Sequence, residues 1–87
     1  MDKKIIMESA TIIVRIATQA LDPKDTGSLV KNAVAVAAAA DKTAKQKTIN
    51  LLKTATVVYN MHPEKIGKDA IDYVNAMNAM MIELMRE

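Results

Sequence analysis

The chain has 87 residues with no Cys and one His, so it lies near the lower size limit for folding on a single core, and disulfides and a structural zinc site are excluded. Its 12 basic and 10 acidic side chains give a net charge of +2, which is too small for a general nucleic-acid binder. No uncharged apolar stretch approaches the ~20 residues that a membrane helix needs. We therefore expect one soluble, cytoplasmic domain over residues 1–87, without metal or cofactor, that is completed by homo-oligomerisation.

The composition predicts an all-α fold. Phe and Trp are absent and only two Tyr are present, so Ala, Ile, Val, Leu and seven Met must supply the core. Ala and Met favour helices, and no stretch alternates apolar and polar residues as a half-buried strand does. The fold class is therefore a helical hairpin or bundle.

The first predicted helix runs from about Asp2 to Leu21 and is apolar around most of its circumference. A surface helix of a bundle needs an apolar arc of only about 100° or somewhat more. This helix is therefore either central or at an interface, and an interface is favoured because no helix of so small a bundle is fully surrounded. Its predicted interface residues are Ile6, Ile13 and Ile16. Arg15, on the thin polar stripe, either binds an acidic residue or a ligand phosphate, or is an ordinary exposed Arg.

The second predicted helix begins after "LDPKDTGSLV", where Asp22 can cap it and Pro23 suits its first position. Two alternatives follow. One long central helix over about 23–61 gives three helices, whereas a break near Asp41 gives four. Thr43 and Gln46 have capping-box spacing, but the Gly or Asn that usually ends a helix is missing. We favour the continuous helix.

The last predicted helix spans about Pro63 to Arg86, with His62 as its cap. Apolar residues along it step by four and three, which is typical of a helix–helix seam. A second row beside the seam indicates a second packing neighbour, and one of the two neighbours is expected to be another subunit. The interface residues predicted here are Val74, Met77, Met80, Met81 and Leu84. On the seam, Met77 and Met81 fit core filling better than an interface.

The segment between Asp41 and Glu64 contains four Lys and no acidic residue. It predicts an anion site, because ammonium groups act as point charges and nearby amides donate hydrogen bonds. The predicted ligand-binding residues are Arg15, Lys42, Lys45, Gln46, Asn50 and Lys53. The alternative is a solvated face that keeps an oligomer soluble, and this simpler interpretation is favoured. Nucleic acid is disfavoured, because no aromatic residues alternate with the lysines and Arg is nearly absent.

Catalysis is not indicated by any motif. His62 is the only His, and Ser9 and Ser28 lack the strand–turn–helix elbow of a nucleophilic Ser. The surroundings of Gly27 and Gly67 lack the spacing of a phosphate loop. We therefore expect a protein that is not an enzyme.

The expected function is that of a small homo-oligomeric binding protein, an inhibitor or sponge. It would either hold a small anionic, phosphorylated and nucleotide-like ligand between subunits or occlude a protein partner. The alternative is a nucleic-acid-associated regulator that contacts phosphates through the Lys42–Lys53 face.

Overall fold

Helices make up nearly all of residues 1–86, which the computed structural model describes. Their bounds are α1 Lys3–Ala20, α2 Pro23–Ala38, α3 Asp41–Met61, the single-turn α4 Pro63–Ile66 and α5 Ala70–Met85, with a 3₁₀ turn at Gly67–Asp69. No strand occurs among these 86 residues, so the predicted all-α class is confirmed. Across the same residues, no helix has the length and apolar character that crossing a membrane requires.

The four long helices form a bundle in which α1 and α3 each pack against both α2 and α5. The order around the bundle is therefore α1, α2, α3, α5, with α1 diagonal to α3. Its principal dimensions are 35 × 23 × 17 Å. In this order, the α1/α2 edge and the α3/α5 edge share no helix, so they lie on opposite sides of the molecule.

The chain turns between α2 and α3, at Ala39 and Ala40, so the four-helix alternative is correct and the long helix over 23–61 is wrong. The capping box is also absent: Ala40 is the N-cap residue, and the Thr43 hydroxyl donates back to the Ala40 carbonyl at 3.1 Å. A side chain of α1 caps this end of α2. The Lys3 ammonium donates to the carbonyl oxygens of Ala37 and Ala39, at 3.1 and 3.0 Å. A cation at a helix C-terminus satisfies free carbonyls and interacts favourably with the helix dipole.

The predicted single C-terminal helix is interrupted at Gly67, which is a second correction. Gly67 has φ of 41°, a backbone conformation that side chains with a Cβ rarely adopt. The helix that begins at Pro63 therefore ends after one turn, and α5 begins at Ala70, after the three residues of the 3₁₀ turn. His62 does occupy the N-cap position of α4, but its side chain makes no capping hydrogen bond.

α1 proves to be the central helix, since it contacts α2, α3, α4 and α5. Most of its apolar circumference is thus used inside the chain, whereas Met7 and Val14 stay half-buried beside α2. Ile6, Ile13 and Ile16 are buried together with Met80 of α5. These four residues present almost no surface to a second copy, so the structure does not support them as interface residues.

α1 is fixed at its start by Asp2, whose side chain accepts from the Lys4 backbone N–H at 2.9 Å and whose own N–H donates to Glu83 at 2.8 Å.

Candidate binding surfaces

One candidate surface is the α1/α2 face, an apolar groove of about 480 Å³ between these two helices. Met7 and Val14 of α1 line one side, and Val30 and Val34 of α2 line the other. Val34 is 62% exposed although it lies in the middle of a helix. Ala33 and Ala37 also line the groove, and their small side chains leave room for another helix to approach closely.

The outer stripe of α1 borders this face and carries three exposed charged side chains, Lys4, Glu8 and Arg15. Glu8 and Arg15 are both exposed and are seven residues apart, about two helical turns. Within residues 1–86, neither side chain forms an ion pair. The α1/α2 face is therefore apolar at its centre, with one acid and two bases along its α1 border.

The second candidate surface is the α3/α5 face on the opposite edge. It contains a hollow of about 590 Å³ lined by Ile49, Leu52, Lys53, Thr56 and Val57 of α3. The Thr56 hydroxyl donates to the sulfur of Met77 at 3.8 Å, so α5 continues this surface. Met81 lies one helical turn beyond Met77 and is 43% exposed.

Two tyrosines fasten α3 to α5 beneath this face. The ring of Tyr59 stacks on that of Tyr73, with centroids 5.6 Å apart. The buried Tyr73 hydroxyl donates to the Ala55 carbonyl at 2.7 Å, and burial raises the pKa of this hydroxyl well above its ordinary value. Tyr73 is fully buried, whereas Tyr59 is half-buried and also borders a hollow of about 290 Å³ together with Ile71 and Val74.

The predicted ligand residues do not converge on one site. Lys42, Lys45 and Lys53 are exposed on α3, whereas Arg15 is exposed on α1, the diagonal helix. Gln46 is exposed and donates to the side-chain carbonyl of Asn50 at 3.1 Å, beside the lysines on α3. A ligand bound to one chain could therefore contact the α3 residues or Arg15 but not both.

Arg15 has instead a mixed polar surrounding. It borders a second groove, of about 390 Å³ between α1 and α5, together with Ser9, Asp72 and Asn75. The Asp72 carboxylate repels an anion placed there, and Arg15 and Asp72 do not form an ion pair. This groove is therefore a poor site for a phosphate.

The predicted seam of α5 lies beside the core row, not within it. Tyr73, Met80 and Glu83 point inward, whereas the seam residues are half-buried or, at Met81, exposed. Of the interface prediction, the residues that keep accessible surface are thus Val74, Met77, Met81 and Leu84.

The exposed valines of these two faces and the border residue Glu8 were not predicted from the sequence. In the sequence, Val34 and Val57 cannot be told from core positions, because each stands beside other apolar residues of its helix. The signal for Glu8 was present, because Glu8 and Arg15 stand two turns apart on the polar stripe of helix 1.

Within residues 1–86, no group of three or more His, Cys, Asp or Glu side chains could hold a metal ion. Comparisons of this chain with protein-family models, with curated proteins and with solved structures gave no match. The surfaces described above are therefore the basis for a functional proposal.

Proposed function

We propose that this protein is a non-enzymatic, homo-oligomeric helical binding protein that occludes an acidic amphipathic helix of a protein partner. The observation that carries the proposal is the α3/α5 face, an exposed apolar surface with Lys53 at its hollow. An amphipathic helix binds by placing its apolar stripe in such a groove. Met77 and Met81 suit this use because the flexible thioether side chain repacks around different partners.

Charge supports an acidic partner. Lys42, Lys45 and Lys53 are exposed on α3, and the only acidic residue of this helix is Asp41, at its first position. A partner helix with Glu or Asp beside its apolar stripe would approach faster and in one orientation, whereas a basic helix would be repelled. The apolar contacts carry most of the affinity and the lysines select the sign of the partner's charge.

The α3/α5 face favours a protein over the two other expected ligands. A phosphorylated small molecule bound to one chain could not contact Arg15 together with the lysines, because these lie on diagonal helices of the bundle. Single-stranded nucleic acid would need several open aromatic rings, yet the chain has only Tyr59 and Tyr73, and Tyr73 is buried. An apolar hollow that contains Ile49 and Val57 suits neither ligand.

The test uses two designed helical peptides of about five turns with the same Leu stripe, flanked by Glu in one and by Lys in the other. Binding is measured by isothermal titration calorimetry at about 50 mM and about 300 mM salt. We expect the Glu-flanked peptide to bind more tightly, with an affinity that falls moderately as salt rises. Val57→Glu should weaken binding about tenfold or more, because it puts an unpaired charge in the apolar contact.

Val34→Glu is the matched control, because Val34 is similarly exposed on the opposite edge. This variant should bind the Glu-flanked peptide as the wild type does. The proposal is overturned if neither peptide binds, or if Val57→Glu leaves binding unchanged. It is also overturned if an oligothymidylate binds through the lysines with a steep salt dependence while the peptides do not.

A further inference from the structure

We infer that two copies of this chain pair through their α1/α2 faces about a two-fold axis near Thr11, with α1 antiparallel to α1 of the second copy. This inference rests on the proposed homo-oligomerisation and adds its interface and orientation. The α1/α2 face lies opposite the α3/α5 face, so pairing in this way leaves the latter open for a partner.

The α1/α2 face is apolar and incomplete in one chain. Val34 is 62% exposed and Val30 is 37% exposed, beside a groove of about 480 Å³. A second copy's α1/α2 face would remove these valines from water. The alanines at 33 and 37 allow the close approach that such a contact requires.

Charge complementarity along the α1 border identifies the occupant of this face as a second copy. In a two-fold interface, residue i of one copy meets residue j of the other, and j meets i. An axis midway between Glu8 and Arg15, close to Thr11, sets each Glu8 against the Arg15 of the other copy. Two ion pairs then form from side chains that have no ion-pair partner within residues 1–86 of one chain.

The charges of Glu8 and Arg15 also fix the relative direction of the two α1 helices. If the two α1 helices were parallel and in register, Glu8 would face Glu8 and Arg15 would face Arg15. Like charges in such positions destabilise the contact. The antiparallel arrangement converts both repulsions into attractions, so the spacing of these two residues selects it.

The test is sedimentation equilibrium of the full chain and of charge-reversal variants. We expect the wild type to dimerise, with a mass twice 9.5 kDa. Glu8→Arg and Arg15→Glu should each weaken dimerisation about tenfold or more, because each puts like charges together twice. An equimolar mixture of the two variants should recover the dimer, since every pair in the mixed dimer is again opposite in sign. The double variant should also recover it.

Two further variants separate a lost interface from a lost fold. Val34→Glu should abolish dimerisation yet keep the helical circular dichroism and the urea midpoint near those of the wild type, because Val34 is largely exposed. Val57→Glu, on the opposite edge, should leave dimerisation unchanged. A wild-type dimer that is insensitive to Glu8→Arg, Arg15→Glu and Val34→Glu overturns this interface but keeps homo-oligomerisation. A wild type that remains monomeric at about 1 mM overturns both the interface and homo-oligomerisation.

Discussion

Lys3→Met is expected to destabilise the protein, because Lys3 supplies the C-terminal cap of α2 from another helix. The substitution keeps most of the aliphatic side chain and removes the ammonium group. Two hydrogen bonds are lost, to the carbonyl oxygens of Ala37 and Ala39 at 3.1 and 3.0 Å. Hydrogen bonds that involve a charged donor are worth ~1.5–3 kcal/mol each when buried, and a cation at a helix C-terminus adds ~0.3–1 kcal/mol.

The expected loss is smaller than the sum of these values. Lys3 is only half-buried, and water can replace part of each hydrogen bond when the ammonium is removed. We therefore expect the free energy of unfolding to fall by about 1–2 kcal/mol, which corresponds to roughly 4–16 °C in Tm for a domain of this size. Urea denaturation followed by circular dichroism at 222 nm measures the change.

Lys4→Met is the matched control, because Lys4 is the next residue, is exposed, and its ammonium makes no hydrogen bond or ion pair within residues 1–86. It should change the free energy of unfolding by less than about 0.5 kcal/mol. Equal effects of Lys3→Met and Lys4→Met would refute the assignment of the cap to Lys3. A rise in helix content in Lys3→Met would in addition indicate that α2 and α3 had joined.

Two further predictions concern Tyr73 and the glycines. Burial raises the pKa of the Tyr73 hydroxyl, so above about pH 10 the unfolded chain loses this proton while the folded chain keeps it. The stability that is present below that pH is therefore lost as the pH rises. Urea titrations from about pH 9 to 11.5 should show that the free energy of unfolding of the wild type falls by up to ~1.4 kcal/mol per pH unit relative to Tyr73→Phe. Tyr59→Phe should keep the wild-type slope. Equal slopes in all three proteins would contradict this prediction. Gly67→Ala should lose about 1 kcal/mol or more of stability, because Gly67 has a φ of 41°. Gly27→Ala should gain about 0.5–1 kcal/mol, because Gly27 lies within α2 and no atom is close to the added Cβ. A gain in both variants would show that a side chain at position 67 causes no strain.

The helix starts could be predicted from the sequence because their signals are local. Asp2, Pro23 and Pro63 act on backbone groups within a few residues of themselves, so neighbouring letters are enough to place α1, α2 and α4. The interruption at Gly67 was missed because a single Gly is compatible with a helix, and only its backbone conformation distinguishes a break from a tolerated residue.

The candidate surfaces were only partly predictable. The lysines of α3 are exposed, as a run of charges without acidic partners indicates. Their separation from Arg15 could not be foreseen, because it depends on which helices become diagonal in the bundle. The exposure of Val34 and the burial of Ile13 likewise depend on which side of each helix meets a neighbour.

The sequence alone determined that this protein is helical, that it lacks disulfides and thiolate metal ligands, and where most helices begin, because composition and capping act over short distances. The tertiary structure decided how the end of α2 is capped, since the ammonium that caps it comes from Lys3, more than thirty residues earlier. It also decided that Ile6, Ile13 and Ile16 belong to the core of one chain, because α1 lies among all the other helices. Long-range packing selects among helix faces that the sequence makes almost equally apolar, and that selection leaves the two apolar edges on opposite sides of the bundle.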